Sequence, residues 1–135
     1  MTLTYRVAAH RVDSHGSLAT AKAAEVVLDT DLAGRADAMN PVELLLSALA
    51  ACILKGIERV APMLAFSFDA VEVDLVAERQ DAPPKLTAIT YRLRVRTSET
   101  AQRLELLHTN VRKYGTIFNT LSAGTVLSGT IEHLP

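Results

Sequence analysis

Asn40-Pro41-Val42-Glu43-Leu44-Leu45-Leu46-Ser47-Ala48-Leu49-Ala50-Ala51-Cys52-Ile53-Leu54 is the stretch on which the fold turns. Asn40 offers a side-chain oxygen to the unpaired N–H groups of a first helical turn, and Pro41 suits the first position, where a missing N–H costs nothing. Glu43 stands three residues after the cap, the spacing of a capping box. The spacing predicts a helix over residues 41 to about 61, ended by Pro62. Apart from Glu43 and Ser47, its first half is apolar all round, so that half must be covered on every side. Lys55, Glu58 and Arg59 return the second half to solvent. The apolar run 44–54 is 11 residues long, against the roughly 20 needed to cross a bilayer, so no membrane partner is expected.

On the N-terminal side, residues 2–12 read as a strand, with Tyr5, Val7 and Ala9 on one face and Arg6, Ala8 and His10 on the other. Asp13-Ser14-His15-Gly16 is a turn, so a second strand from Ser17 completes a hairpin, and residues 23–29 add apolar, β-branched material for another. Residues 30–39 read as loop. Beyond the helix, Val71, Val73, Leu75 and Ala77 alternate with Glu72, Asp74 and Glu78, and Ile89, Tyr91, Leu93 and Val95 alternate with Thr90, Arg92, Arg94 and Arg96. Antiparallel pairing of these strands sets acids beside arginines, and Pro83-Pro84 should keep the ladder out of the 79–87 connection. A second helix is expected over about 99–114, with Leu104, Leu107, Val111 and Tyr114 on one stripe and Gly115 as its C-terminal glycine. Residues 125–132 close the chain as a strand. The order argues α+β with a mostly antiparallel sheet, in one domain spanning residues 1–135.

The 135 residues are 49% hydrophobic and 21% charged, enough apolar material for a core and too little charge for disorder. A net charge of −1 argues against a body built to hold nucleic acid. One cysteine excludes an internal disulfide framework and a four-cysteine zinc site. The N-terminal residues lack the pattern of a secretory signal, and a lone thiol suits a reducing compartment, so a cytoplasmic location is expected. A chain this short has little protein with which to surround a helix of about 30 Å. A second copy would supply the missing cover, which predicts a homodimer with an apolar interface.

Cys52 is the first candidate for chemistry. A free cysteine in an apolar helix is read most simply as a small hydrophobe; the functional reading needs a thiolate and a cation to stabilise it. Arg59 shares its helix face but lies two turns away, so the cation must come from elsewhere in the fold or from a partner chain. His10, His15, His108 and His133 are scattered, with no metal-binding spacing, and are read as surface or satisfied histidines. Neither a metal nor another cofactor is expected. Glu43 is read first as a capping residue and second as a site residue. The Arg92, Arg94 and Arg96 row reads as a solvated salt-bridge ladder rather than a phosphate site.

Asn40 to Leu46, leading through Ala48 to Ala50-Ala51-Cys52, resembles the central helix of the OsmC/Ohr family. Ala77-Glu78-Arg79 with Pro84, Leu86-Thr87 and Ile89 resembles that family's central hairpin. Lys113-Tyr114 and Asn119-Thr120-Leu121 resemble the stretch around its second cysteine. The resemblance implies an OsmC-like fold and an intertwined homodimer with two sites at the subunit interface. It also implies reduction of organic hydroperoxides by a cysteine pair, with an arginine holding the thiolate and a glutamate orienting the arginine. Cys52 matches the peroxide-attacking cysteine, and Arg11 is the best match for the arginine. The second cysteine is replaced by Gly115. The hydroperoxidase glutamate falls at Val42, and Glu43 matches a glutamate register seen in another OsmC-like branch. Two functions follow from the resemblance: a one-cysteine peroxidase served by an external thiol, or a non-catalytic dimer binding a small hydrophobic ligand at its interface.

Overall fold

The computed structural model describes residues 2–135. The chain forms two compact units, Met1–Leu45 and Leu46–Pro135.

In the first unit, β1 (Ala8–Asp13), β2 (Gly16–Ala21) and β3 (Ala24–Leu28) form an antiparallel meander in the order β1-β2-β3. The expected first strand starts later than the alternation suggests, at Ala8 rather than near residue 2. Asp13 makes the hairpin turn: its Oδ1 accepts from the backbone N–H of His15 at 2.8 Å and of Gly16 at 3.1 Å. The 30–39 loop is organised around the buried Asp29 carboxylate, which accepts from the N–H groups of Asp31 and Arg35. His15 closes on Asp31 at 2.7 Å, which raises the imidazole pKa and lowers that of the carboxyl. Large apolar side chains in this unit remain exposed, among them Tyr5, Val7, Val12, Val26 and Val27.

The second unit carries the hydrophobic core. Helix α1 (Pro41–Met63) starts as its sequence dictates: Asn40 Oδ1 accepts from Glu43 N, and Asn40 N donates to Glu43 Oε1, each at 2.9 Å. Pro62 does not end it. A proline lacks only its own N–H, and Pro62 sits in the final turn, so the helix continues to Met63. The stop is a Schellman-type closure in which Phe66 N donates to Ala61 O and Ala65 N to Pro62 O, with Ala65 in the left-handed region at φ 48°.

β4 (Ala70–Asp81) and β5 (Pro84–Arg96) pair antiparallel, and β6 (Val126–His133) joins β5 in parallel. Among the described residues, three of the four strand pairings are therefore antiparallel. The prolines do not hold the ladder back: pairing runs out to Asp81 and Pro84, leaving only Ala82 and Pro83 in the turn, joined by a cis bond. Pro84 is tolerated because it is the first residue of its strand. On the wet face Arg94 binds Asp74 at 2.7 Å and Glu72 at 3.2 Å, while Arg92 turns away from Asp74 to Glu132 on β6.

α2 (Ala101–Tyr114) is capped by Thr100, whose side chain accepts from Arg103 N. Gly115 does not close it as a left-handed glycine. Its φ of −82° and ψ of 112° are extended, and it leads straight into a short helix the sequence did not announce, α3 (Thr116–Ser122). Leu49, Ile53, Ile57 and Val60 of α1 pack with Ile89, Leu93 and Val95 of β5 and with Leu104, Leu107 and Val111 of α2. Tyr114, expected on that stripe, is 41% exposed. Among the described residues no helix is long and apolar enough to cross a membrane.

Candidate functional site

α1 and α2 run antiparallel, in contact along a seam of small residues. A Cβ at Gly56 would lie 3.1 Å from Val111 Cγ1, and Arg103 Nη2 donates to Leu64 O at 2.6 Å, where α1 ends. The last turn of α1 has no basic residue of its own, so Arg103 meets its exposed carbonyls from the neighbouring helix. Glu99 steadies that arginine through Nε at 3.2 Å and accepts from Ser67 N at 2.8 Å, and these two bonds lower its pKa.

Cys52 lies one turn before Gly56 on α1, and Gly115 lies one turn after Val111 on α2's side of the seam. The two meet: a Cβ at Gly115 would stand 3.2 Å from Cys52 Sγ, 3.0 Å from Phe118 Cβ and 3.3 Å from Val111 O. Gly115 is buried and the free thiol of Cys52 is half-buried. The position next in line for a side chain against this sulfur therefore carries none. Lys55 and Arg59, three and seven residues beyond Cys52, share its helix face and are exposed.

Behind this contact is a buried polar pair absent from the sequence-based site. Tyr91 Oη and His108 Nε2 are 2.5 Å apart with both residues buried. Burial, then the Arg112 charge, pushes the His108 pKa down, and burial raises that of Tyr91. Both shifts favour the uncharged forms of the pair, for which a phenol O–H donating to an unprotonated Nε2 is the matching arrangement. The Tyr91 and Phe118 rings meet nearly at right angles with centroids 6.4 Å apart, and the Arg112 guanidinium lies 5.3 Å from the Phe118 ring centroid. The 3.6-residue spacing of Leu104, His108 and Val111 was the one available signal that His108 faces inward.

The other expected site residues belong to the first unit. Arg11 is exposed on β1, paired with Ser17 across the hairpin, and forms no ion pair among the described residues. Glu43 is exposed and its carboxylate is engaged by Asn40 N, as a capping residue's is. His133 Nε2 donates to the Glu99 carbonyl, 2.8 Å away. Among the described residues no group of three or more His, Cys, Asp or Glu could hold a metal ion.

The fold and the seam define an α+β protein whose single thiol sits where two antiparallel helices touch. The model of the family described as OsmC-like protein matches residues 34–128, and the chain belongs to that family. Solved structures agree along its whole length. An OsmC-like protein from Mycoplasma pneumoniae superposes with a TM-score of 0.90 at 19% identity, each chain covered in full. An organic hydroperoxide resistance protein OsmC from Legionella pneumophila gives a TM-score of 0.72 at 18% identity, covering 98% of both chains. The organic hydroperoxide resistance protein OhrB of Bacillus subtilis gives 0.69 at 13%, covering 96% of this chain and 98% of its own. At these identities the likeness is one of fold. A comparison with curated proteins finds no match.

Proposed function

We propose that this chain is a one-cysteine, thiol-dependent reductase of organic hydroperoxides that works as a homodimer in a reducing cytoplasm. The observation that carries the reading is the contact of Cys52 Sγ with Gly115: a sulfur held at a helix seam with a glycine, not a second thiol, against it. Family membership and the names of the Legionella and Bacillus proteins, both organic hydroperoxide resistance proteins, support the chemical class.

The Cys52 thiolate attacks one peroxide oxygen, the O–O bond breaks, and the departing alkoxide takes a proton to leave as an alcohol. The sulfur keeps the other oxygen as a sulfenic acid. An external thiol displaces water to form a mixed disulfide, and a second external thiol frees Cys52 and leaves as a disulfide, supplying the two electrons in all. Arg11 is the cation assigned to the thiolate in this reading, and Glu43 sets the start of the helix that carries Cys52. The second copy is supported by apolar surface that one chain leaves uncovered: Ala48, Ala51 and Leu54 on α1, and Tyr5, Val7 and Val12 ahead of it.

The same uncovered apolar surface favours a second reading, a dimer that holds a small hydrophobic ligand at its interface without turnover. Intact mass spectrometry after exposure to cumene hydroperoxide separates the two. A gain of one oxygen, reversed by added thiol and abolished by Cys52→Ser, is the result expected of the reductase. A thiol inert to the hydroperoxide, with a lipid-like molecule retained through purification, would leave the binding function.

A further inference from the structure

The backbone against the Cys52 sulfur belongs to the junction between α2 and α3, and α3 is held by one buried side chain and the half-buried Ile117 and Leu121. Phe118 is its one buried residue. Its first turn has no side-chain cap, since the N-cap is Gly115, and Gly115 N reaches Arg112 O only at 3.5 Å. At the far end Gly124 stands in open space. Two attachments tie α3 to α2: Phe118, whose ring contacts the Arg112 guanidinium as well as Tyr91 of β5, and Asn119, whose Nδ2 donates to Lys113 O at 3.2 Å.

We propose that the α2–α3 junction is a lid over the Cys52 thiol, pinned by Phe118 and latched by Asn119, and that its release decides how large a co-reactant reaches the sulfur. Phe118 is a positioning residue: it touches the Gly115 backbone rather than the reacting atoms, and it acts by keeping that backbone on the sulfur. A segment bounded by two glycines, docked through one buried ring and the half-buried Ile117 and Leu121, has the few fully buried contacts that mark locally opening structure. The half-buried sulfur remains open to a small oxidant while the lid is down. The external thiol, a larger molecule that must line up with the sulfenic sulfur, needs it raised. The inference rests on the proposed reductase for its purpose, but the lid itself concerns access alone.

The test compares the rates at which Cys52 in the full-length protein reacts with a compact reagent, methyl methanethiosulfonate, and a bulky one, 5,5′-dithiobis(2-nitrobenzoic acid). In both, the Cys52 thiolate attacks sulfur and forms a mixed disulfide, expelling methanesulfinate from the first and a thionitrobenzoate from the second. The change in the ratio of bulky to compact rates between variant and parent therefore reports access rather than thiolate fraction. Phe118→Ala is expected to raise that ratio about tenfold and Asn119→Ala about threefold, in proportion to the docking each removes. Phe118→Leu, which keeps an apolar plug, should stay near the parent. Should Phe118→Ala fail to fold, Asn119→Ala at an exposed position decides alone. Unchanged ratios, or equal acceleration by both reagents, overturn the lid. Oxidation by hydroperoxide is read separately by mass, so an inert thiol under a working lid would count against the reductase and not against the lid.

Discussion

A Cβ at Gly129 would lie 2.3 to 2.4 Å from three atoms of the Tyr91 ring, because Gly129 is the β6 partner of Tyr91 and the ring lies on its backbone. No side chain fits there without moving a buried ring that is hydrogen-bonded to His108. Gly129→Ala should destabilise the protein by about 2–3 kcal/mol in urea titration, the cost of overpacking a filled site. In the double variant Gly129→Ala/Tyr91→Leu, the two effects should fall short of their sum, because the clash goes with the ring. Additive losses would contradict the packing account. Gly115 poses the opposite case. Its extended backbone accepts any residue, and a carbon 3.2 Å from a sulfur is crowded unless bonded through a second sulfur. In a disulfide the Cβ stands about 3 Å from the partner sulfur, given an S–S bond of about 2.05 Å. Gly115→Cys should therefore form a bond to Cys52 on mild oxidation, seen as the loss of two hydrogens in intact mass; free thiols at both positions would refute the geometry. From the residues alone, Gly115 reads as a helix-ending glycine. Its real constraint, a sulfur from another helix, is invisible to local sequence.

At the scale of elements, α1 shows what is local and what is not. Its start is written in four consecutive residues, Asn40 to Glu43, whose side chains bond only to one another's backbone, and so it is legible. Its end depends on Ala65 entering the left-handed region and on Arg103 arriving from α2, neither of which a glycine or a basic last turn advertises. Ala65→Gly removes the Cβ penalty of that conformation and should stabilise the protein by about 1 kcal/mol in thermal or chemical unfolding; a loss of stability would show that the turn is held otherwise. On α2, His108 is buried with its pKa pushed below the ordinary 6.5. The unfolded chain takes up the proton first as pH falls, so this residue's contribution is complete above about pH 6.5 and is lost on acidification below it. His15 acts with the opposite sign, its raised pKa favouring the fold at the lower pH, so the measurement is a difference. The melting temperature should fall less steeply between about pH 7 and 5 in His108→Gln than in the parent. Parallel profiles would remove His108 from the titration. The ladder of β4 and β5 was legible through alternation, whereas Arg92 choosing Glu132 was not, because β6 enters beside β5 from the far end of the chain.

For the molecule as a whole, the dimer proposal rests on the distribution of burial. The core lies in residues 46–135, while Tyr5 is 82% and Val7 71% exposed, and one face of α1 carries the exposed Ala48, Ala51 and Leu54. Apolar patches of this extent mark association surfaces. Light scattering after gel filtration at micromolar concentration should give twice the chain mass, and Ala51→Glu should shift the protein towards the monomer and lower its stability. A parent protein that is monomeric under these conditions would end the dimer proposal. The sequence by itself determined the class of fold, the capped central helix and the two alternating strands, since each is encoded by neighbours or by a short period, and it singled out the thiol of the proposed chemistry by being the one cysteine. Only tertiary structure decided how closely the Gly115 backbone approaches that thiol, that Tyr91 and His108 form a buried hydrogen bond, and that a short helix follows directly from Gly115. The first two join positions distant along the chain, where side-chain volume and hydrogen bonding are settled by packing and leave no periodic trace.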